Sequence, residues 1–281
     1  MRSLLPSYSV SETGRAAEAA LSVDLAGGRS VLRRQHVGYP LHVTRGFYLD
    51  ALRPDLLTLY LQSASGGIYA GDRIALDVVV ARDAAFHLTT QAATVVHDGR
   101  GIGAVQRQTV NVDTGAFCAI TTDPYVLFPG ASLALETTAV VAADAVLCVA
   151  DGFAMHDPRA NGRAFAEVSS RLRIVRPDGR LLLQDAGRIK GDQLHDALGA
   201  RTASASLVLI APTDRLPPPQ TLHQVADECG ALAGASAAPN AAGLVLRILA
   251  PDGGALSRAM DAAFHVAAQA ALGVKLARRR K

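Results

Sequence analysis

The side chains able to hold a metal or move a proton are scattered along this sequence. Eight histidines stand at His36, His42, His87, His97, His156, His195, His223 and His265. None falls in a His-Glu-x-x-His or His-x-His spacing, which would set two imidazoles on one ion. His36 and His42 are six apart, so on one strand they would share a face, because side chains repeat every second residue. His97-Asp98 and His156-Asp157 each place a carboxylate beside an imidazole it could orient. The three cysteines, Cys118, Cys148 and Cys229, are odd in number and widely spaced, which argues against a disulfide framework and a structural zinc site. Cys118 and Cys148 lie in apolar segments and read as small core residues. The metal candidates are therefore His36, His97 and Cys148, with no convergence between them in sequence. Nucleophile and phosphate motifs are missing, since there is neither Gly-x-Ser-x-Gly nor a P-loop. Gly99-Arg-Gly101-Ile-Gly103 mimics a dinucleotide loop, but strand rather than helix follows it, so it reads as a glycine-rich turn. Asp72, Asp77 and Asp83 read as ordinary turn or strand residues. The expectation is a protein that is not an enzyme.

The elements that must position these groups are mostly strands. From about Val31 to Ile210 the chain runs in short segments rich in Val, Ile, Leu and Thr, broken by Gly, Pro or Asp. Ile74 to Val80, Val105 to Val112 and Phe165 to Val175 are examples. Arg171 to Leu183 reads as a hairpin, with Pro177 and Gly179 shaping its turn. Asp113-Thr-Gly115 and Ala142-Ala-Asp144 read as further turns. No strand alternates with a ten-residue helix, which disfavours a doubly wound parallel sheet. After Leu216-Pro-Pro-Pro219 the texture changes. Thr221 offers an N-cap for a helix over Leu222 to Leu232. Ala235 to Gly243 reads as a small, flexible link, and Leu244 to Leu249 as a strand. Leu256, Met260, Phe264, Ala267, Ala271 and Val274 form one apolar stripe of a helix from Ala255 to Ala277. The fold class expected is mainly β, a large strand-rich single domain over 1–281. Its β-rich body spans 31–210, its helix-strand-helix C-terminal portion 216–277 and its basic tail 278–281.

Composition excludes several function classes. The 281 residues are 49% hydrophobic and 19% charged, a folded rather than disordered balance. The net charge of +3 comes from the tail Arg278 to Lys281, without which 24 basic residues face 25 acidic ones. Such a tail reads as solvated. Tryptophan is absent and aromatics make up 5%, a poor basis for base stacking, so no nucleic acid is expected. No apolar run approaches the roughly 20 residues of a membrane span. The first ten residues lack a secretory pattern, so the expected compartment is the cytoplasm.

Four stretches in fixed order carry more. They are LRRQHVGYPLHVTRGFY (32–48), SGGIYAGD (65–72), LTTQAATVVHDGRG (88–101) and DPYVLFPGA (123–131). Together they resemble the urease accessory protein UreD family, also called UreH. The resemblance covers about Val31 to Ala131 well and the rest more loosely. It implies a non-catalytic, mainly β scaffold that binds a UreF-type accessory protein and, through it, a UreG-type GTPase. The assembly would dock on apo-urease for nickel insertion, with no cofactor bound tightly and nickel only in transit. The chain departs from the family's usual pattern at Gln62-Ser-Ala-Ser65, at Gln91 to Val95, at Asp123-Pro124-Tyr125 and at Gly162-Arg163. Within the matching motifs, Gly66, Gly67 and Gly71 suit a turn needing positive φ, with Ile68 plugged into the core. Asp72 would close that turn through backbone hydrogen bonds or line an ion path. Thr89, Thr90 and Thr94 read as strand residues whose hydroxyls satisfy buried backbone groups. Phe128-Pro129-Gly130 would anchor a loop by burying the ring. The alternatives are a β-rich binding protein no longer tied to urease and a small-molecule enzyme on a β-scaffold.

Overall fold

A computed structural model describes residues 14–279. The N-terminal stretch and the last two basic residues of the tail lie outside them. Strand numbers follow chain order. One sheet holds β1 (Ala16–Ala26), β2 (Arg29–Val37), β5 (Arg73–Val80), β8 (Ala104–Val112), β11 (Ser132–Val141), β13 (Glu167–Val175) and β14 (Leu181–Lys190). Its order is β14-β13-β11-β8-β5-β1-β2. The second sheet holds β3 (Leu41–Val43), β4 (Leu57–Ser63), β6 (Ala85–Thr90), β9 (Phe117–Thr121), β12 (Val146–Met155), β15 (Ala203–Ile210), β16 (Leu232–Ala237) and β17 (Gly243–Ala250). They run in the order β16-β17-β15-β12-β9-β6-β4-β3. Two short strands extend this sheet at one end, β7 (Val95–Val96) and β10 (Tyr125–Leu127), with β10 pairing to both β7 and β12.

Between β4 and β13 the chain alternates from one sheet to the other, so neighbours in each sheet are parallel although no helix connects them. Parallel strands need a crossover. Here the strand in the opposite sheet serves as that crossover. The turns at Asp113–Gly115 and Ala142–Asp144 are therefore corners between sheets rather than hairpin tips. The hairpin expected over Arg171 to Leu183 does form, with β13 and β14 antiparallel and Gly179 at φ +86°.

Several expected boundaries move. The β-structure begins at Ala16, well before Val31; AAEAALSVDLA hides its strand because Val23 is its one β-branched residue. Its burial still alternates, with Ala17, Ala19, Leu21 and Val23 facing the core. A short helix, α1 (Leu194–Leu198), interrupts the β-rich body expected over 31–210. The helix expected over Leu222 to Leu232 is α2 (Pro219–Asp227), entered through Pro218 and started by Pro219, so Thr221 is not its cap. The link expected over Ala235 to Gly243 begins inside β16 (Leu232–Ala237), an antiparallel partner of β17. The last helix, α3 (Gly253–Leu272), is capped by Asp252, whose side chain accepts from the Ala255 N–H at 2.8 Å. It stops five residues short of Ala277 because Gly273 takes the left-handed φ of +72°.

The core falls into three apolar clusters. The largest fills the space between the sheets around Leu59, Leu88, Val110, Ile120, Leu147 and Ile174. A second lies on the outer face of the second sheet, under α2 and α3. The third occupies one end of the inter-sheet space, around Ile68, Leu127, Leu133, Phe153 and Phe165.

Candidate functional site

The two inter-sheet clusters are divided by a line of polar side chains. Along several core-facing strands, one polar residue interrupts the period-two run of apolar ones. On β12, Asp151 falls between Val149 of the main cluster and Phe153 of the end cluster. Ser170 on β13 likewise separates Leu172 from Val168, and Thr90 follows Leu88 on β6. Gln106, Ser206, Asp185 and Arg247 continue the line on β8, β15, β14 and β17. Strand register brings these interruptions together into one seam across the sandwich.

At one end the seam opens into a cavity of roughly 40 Å³ lined by Arg15, Gly67, Asp72, Thr90, Gln106 and Tyr125, among others. At the other end lies a cleft of roughly 110 Å³, whose lining includes Leu135, Asp151, Phe153, Ser170, Asp185, Ser206 and Arg247. The two adjoin, because Gln106 is the register partner of Leu135 and Tyr125 that of Phe153.

Asp72 is buried at the first mouth. Its carboxylate accepts from the Tyr69 N–H at 2.9 Å, and from the backbone N–H and Nε of Arg15, each at 3.1 Å. Arg15 Nη2 completes the ion pair and also reaches the Gly67 carbonyl at 3.3 Å. Burial pushes the Asp72 carboxyl up, but the hydrogen bonds and charge of Arg15, with the Tyr69 N–H, outweigh it and hold the group below the usual carboxylate range. Midway, the Tyr125 hydroxyl donates to Gln106 Oε1 at 2.7 Å. Burial raises the phenol's pKa; the Gln106 bond offsets part of this, and the nearby Asp151 adds to it. Asp151 itself accepts from Ser170 Oγ at 2.6 Å and Ser206 Oγ at 3.3 Å. Burial raises its pKa above the ordinary range against the pull of both serines and Arg247. Asp185 pairs with Arg247 at the second mouth. An ion pair thus stands at each mouth, with hydroxyl, amide and carboxyl oxygens between.

The Gly-Gly-Ile turn shapes the first mouth. Gly66, Gly67 and Gly71 have φ of +76°, +136° and +72°. A Cβ on Gly67 would stand 2.4 Å from the Val95 carbonyl oxygen, so glycine is required twice over, by φ and by space. Ile68 is 2% exposed and pairs with Val96 of β7. Thr89 donates to the Thr121 carbonyl at 2.7 Å. Thr90 accepts from the Asp123 N–H at 2.8 Å and donates to its carboxylate at 3.0 Å. Thr94 is not in a strand: β6 ends at Thr90, and Thr94 stands in the loop before β7, where its backbone carbonyl accepts from Val126 at 2.9 Å. Phe128 is only half-buried, its ring held between His97 and His156, beside Pro129 and Gly130 (φ +77°).

The metal candidates stay apart. His36 is exposed on β2, and His42 sits on β3 rather than on the same strand. His97 stacks on Tyr69 with ring centroids 4.4 Å apart, and its Nε2 lies 3.2 Å from the Gly66 carbonyl, so Asp98 does not orient it. Asp157 is likewise taken up by the backbone N–H groups of Arg159, Asn161 and Arg163 instead of His156. Cys148 is buried against the helices, and burial pushes its thiol up to about 12. Among the described residues, no three His, Cys, Asp or Glu side chains are grouped to hold a metal ion. Arg279 is not solvated as the tail was expected to be. Its guanidinium pairs with Asp261 at 3.1 Å and donates to Thr89, behind the strands that line the seam.

Asp151, Ser170, Asp185, Ser206 and Arg247 are absent from the motif reading. Each is a single polar residue inside an apolar alternation, a signal that gains meaning once strand register aligns them.

The sequence profile described as "UreD urease accessory protein" matches residues 15–281. The chain is 80% identical to a Bradyrhizobium sp. (strain ORS 278) protein called "Urease accessory protein UreD 3", over 100% of both chains. It is 76% identical to "Urease accessory protein UreD 1" of Bradyrhizobium sp. (strain BTAi1 / ATCC BAA-1182), again over 100% of both. Identity to "Urease accessory protein UreD 1" of Methylorubrum populi is 42%, covering 95% of this chain and 92% of that one. A match over nearly the whole chain, with relatives this similar end to end, settles the kinship that the four motifs suggested: the chain belongs to the UreD family of urease accessory proteins.

Proposed function

We propose that this chain is the scaffold of urease maturation in the cytoplasm. It binds a UreF-type accessory protein, and through it a UreG-type GTPase, and docks on apo-urease. Nickel crosses the sandwich along the polar seam as cargo and is not retained. The observation that carries this reading is the seam itself, because a line of hydrophilic groups through a protein core is costly unless it is used. Its donors suit transit. Carboxylate, hydroxyl and amide oxygens bind nickel more weakly than converging imidazoles or thiolates do. A conduit needs sites that release as readily as they bind. Raising the Asp151 pKa serves the same end, since a carboxyl that is easily protonated holds a cation loosely. No step of this role needs a nucleophile or a catalytic base.

The test is reconstitution. Apo-urease is incubated with nickel, the two partner proteins and GTP, with and without this chain. Urease activity and nickel content should rise only when the chain is present, and one complex containing it should elute. Equal activation without the chain would remove the scaffold role.

A further inference from the structure

The loops around the first mouth carry a surface that the seam does not explain. Tyr69, His97, Phe128 and His156 form a continuous row of rings, with successive centroids 4.4, 5.6 and 5.6 Å apart. Arg15 caps the row, its guanidinium 5.0 Å from the Tyr69 centroid. Large apolar groups stand out from the same end: Tyr39 is 72% exposed, Ile102 50% and Tyr69 41%. Ile102 packs toward Gly71, and Tyr39 lies within electrostatic reach of Arg15. Three arginines, Arg100, Arg159 and Arg163, are exposed on the loops that frame the rings. Those loops hold carboxylates too, but Asp98 accepts from the Arg100 N–H, and Asp157 from the N–H groups of Arg159, Asn161 and Arg163. Among the described residues none of the three guanidiniums forms an ion pair with a carboxylate. Backbone hydrogen bonds leave Asp98 and Asp157 charged, so the three guanidiniums exceed the loops' two carboxylates by one positive charge.

Aromatic and apolar groups inside a ring of unpaired arginines are the composition of a protein-binding patch. We infer that this loop end is the docking face for an acidic protein surface, the partner that hands cargo into the first mouth. The inference rests on the maturation role proposed above. Charge decides the occupant: carboxylates set around an apolar knob would satisfy Arg100, Arg159 and Arg163 while covering Tyr39, Tyr69 and Ile102. Charge also biases the order of events. A rim with one net positive charge disfavours entry of a free divalent cation, and an acidic partner removes that bias. Loading is then coupled to docking.

The test reverses the rim without touching the seam. In the full chain, Arg159→Glu and Arg163→Glu are combined with Arg100→Asp, aspartate being chosen because Arg100 has φ +46°. The control carries three reversals elsewhere, Arg33→Glu, Arg34→Glu and Arg173→Glu. Binding to the UreF-type protein, to the UreG-type protein and to apo-urease is measured separately at low and high salt. The rim variant should bind one of these partners at least about tenfold more weakly at low salt, with the difference shrinking at high salt, while the control is unaffected. Unchanged binding to all three, with the variant folded by circular dichroism, would overturn the docking face and leave the scaffold role standing. An absence of binding by the parent chain would instead remove the scaffold role. Two further outcomes overturn the inference by assigning the face to another occupant. One is an effect on self-association alone; the other is a rim effect that vanishes once residues 1–13 are deleted.

Discussion

Acid should loosen this fold through one histidine. His87 is 3% exposed, its ring centroid lies 4.6 Å from that of Phe264, and its Nε2 is 2.8 Å from Thr121 Oγ1. Burial, with the charge of Arg279 and the neighbouring His265, lowers its pKa from 6.5 to about 3. The unfolded chain therefore binds one more proton than the folded chain between those values. Stability is full above about pH 6.5 and is lost as the pH falls toward 3. Each unit of pH inside the window costs up to ~1.4 kcal/mol, so going from pH 7 to pH 5 should cost about 2 kcal/mol from this group. His265, also lowered by burial, adds loss of the same sign. The assay is urea denaturation at pH 7, 6 and 5 for the parent and for His87→Phe, which keeps the ring stacking and removes the titration. His87→Gln is the second variant, since it retains a group that can meet Thr121. The variants should lose about 2 kcal/mol less than the parent over this range. Parallel pH dependences in parent and variants would refute the reasoning, because the imidazole would then be titrating freely in the folded state.

Other consequences follow from single contacts. Gly67→Val should cost about 2–5 kcal/mol through unfavourable φ and the clash with Val95, seen as lost soluble yield or a lowered Tm; Gly67→Ala should be milder with the same sign. Asp72→Asn should lower stability by about 1–2 kcal/mol at neutral pH in urea melts, a modest figure because Arg15 is partly solvated and screened. A bulky disulfide reagent should label Cys229 in the native protein and reach Cys118 and Cys148 only in urea, since the last two are fully buried. Arg279→Ala should lower the Tm by a few degrees and speed proteolysis after Leu272, because the tail is held by the Asp261 pair and the Thr89 hydrogen bond.

The sequence made legible what local chemistry decides. Glycines at 66, 67 and 71 announced a turn of positive φ, and Pro177 with Gly179 announced the hairpin of β13 and β14. The stripe from Leu256 to Ala271 announced α3, though not its stop at Gly273. Pairing was not legible, because the short turns at Asp113–Gly115 and Ala142–Asp144 serve a hairpin or an inter-sheet corner equally well. The seam was hidden for the same reason. Asp151 is nineteen residues from Ser170 and fifty-five from Ser206. No spacing rule joins residues that meet only through register. Arg279 misled in the opposite direction: a run of basic residues is usually solvated, and nothing local shows that Asp261 and Thr89 wait for one of them.

The central claim is that nickel passes through the seam, and Asp151→Leu tests it most directly. Leucine removes the carboxyl and leaves the Ser170 and Ser206 hydroxyls without their acceptor, so a loss of about 1–3 kcal/mol is expected. The complex should still assemble, melting a few degrees below the parent. Nickel per urease active site, measured by metal analysis of the isolated enzyme, should fall to about a tenth or less, a barrier raised by ~1.4 kcal/mol or more. A normally assembled complex that delivers a full complement of nickel would contradict the account, since cargo would then be reaching urease by a route outside this sandwich.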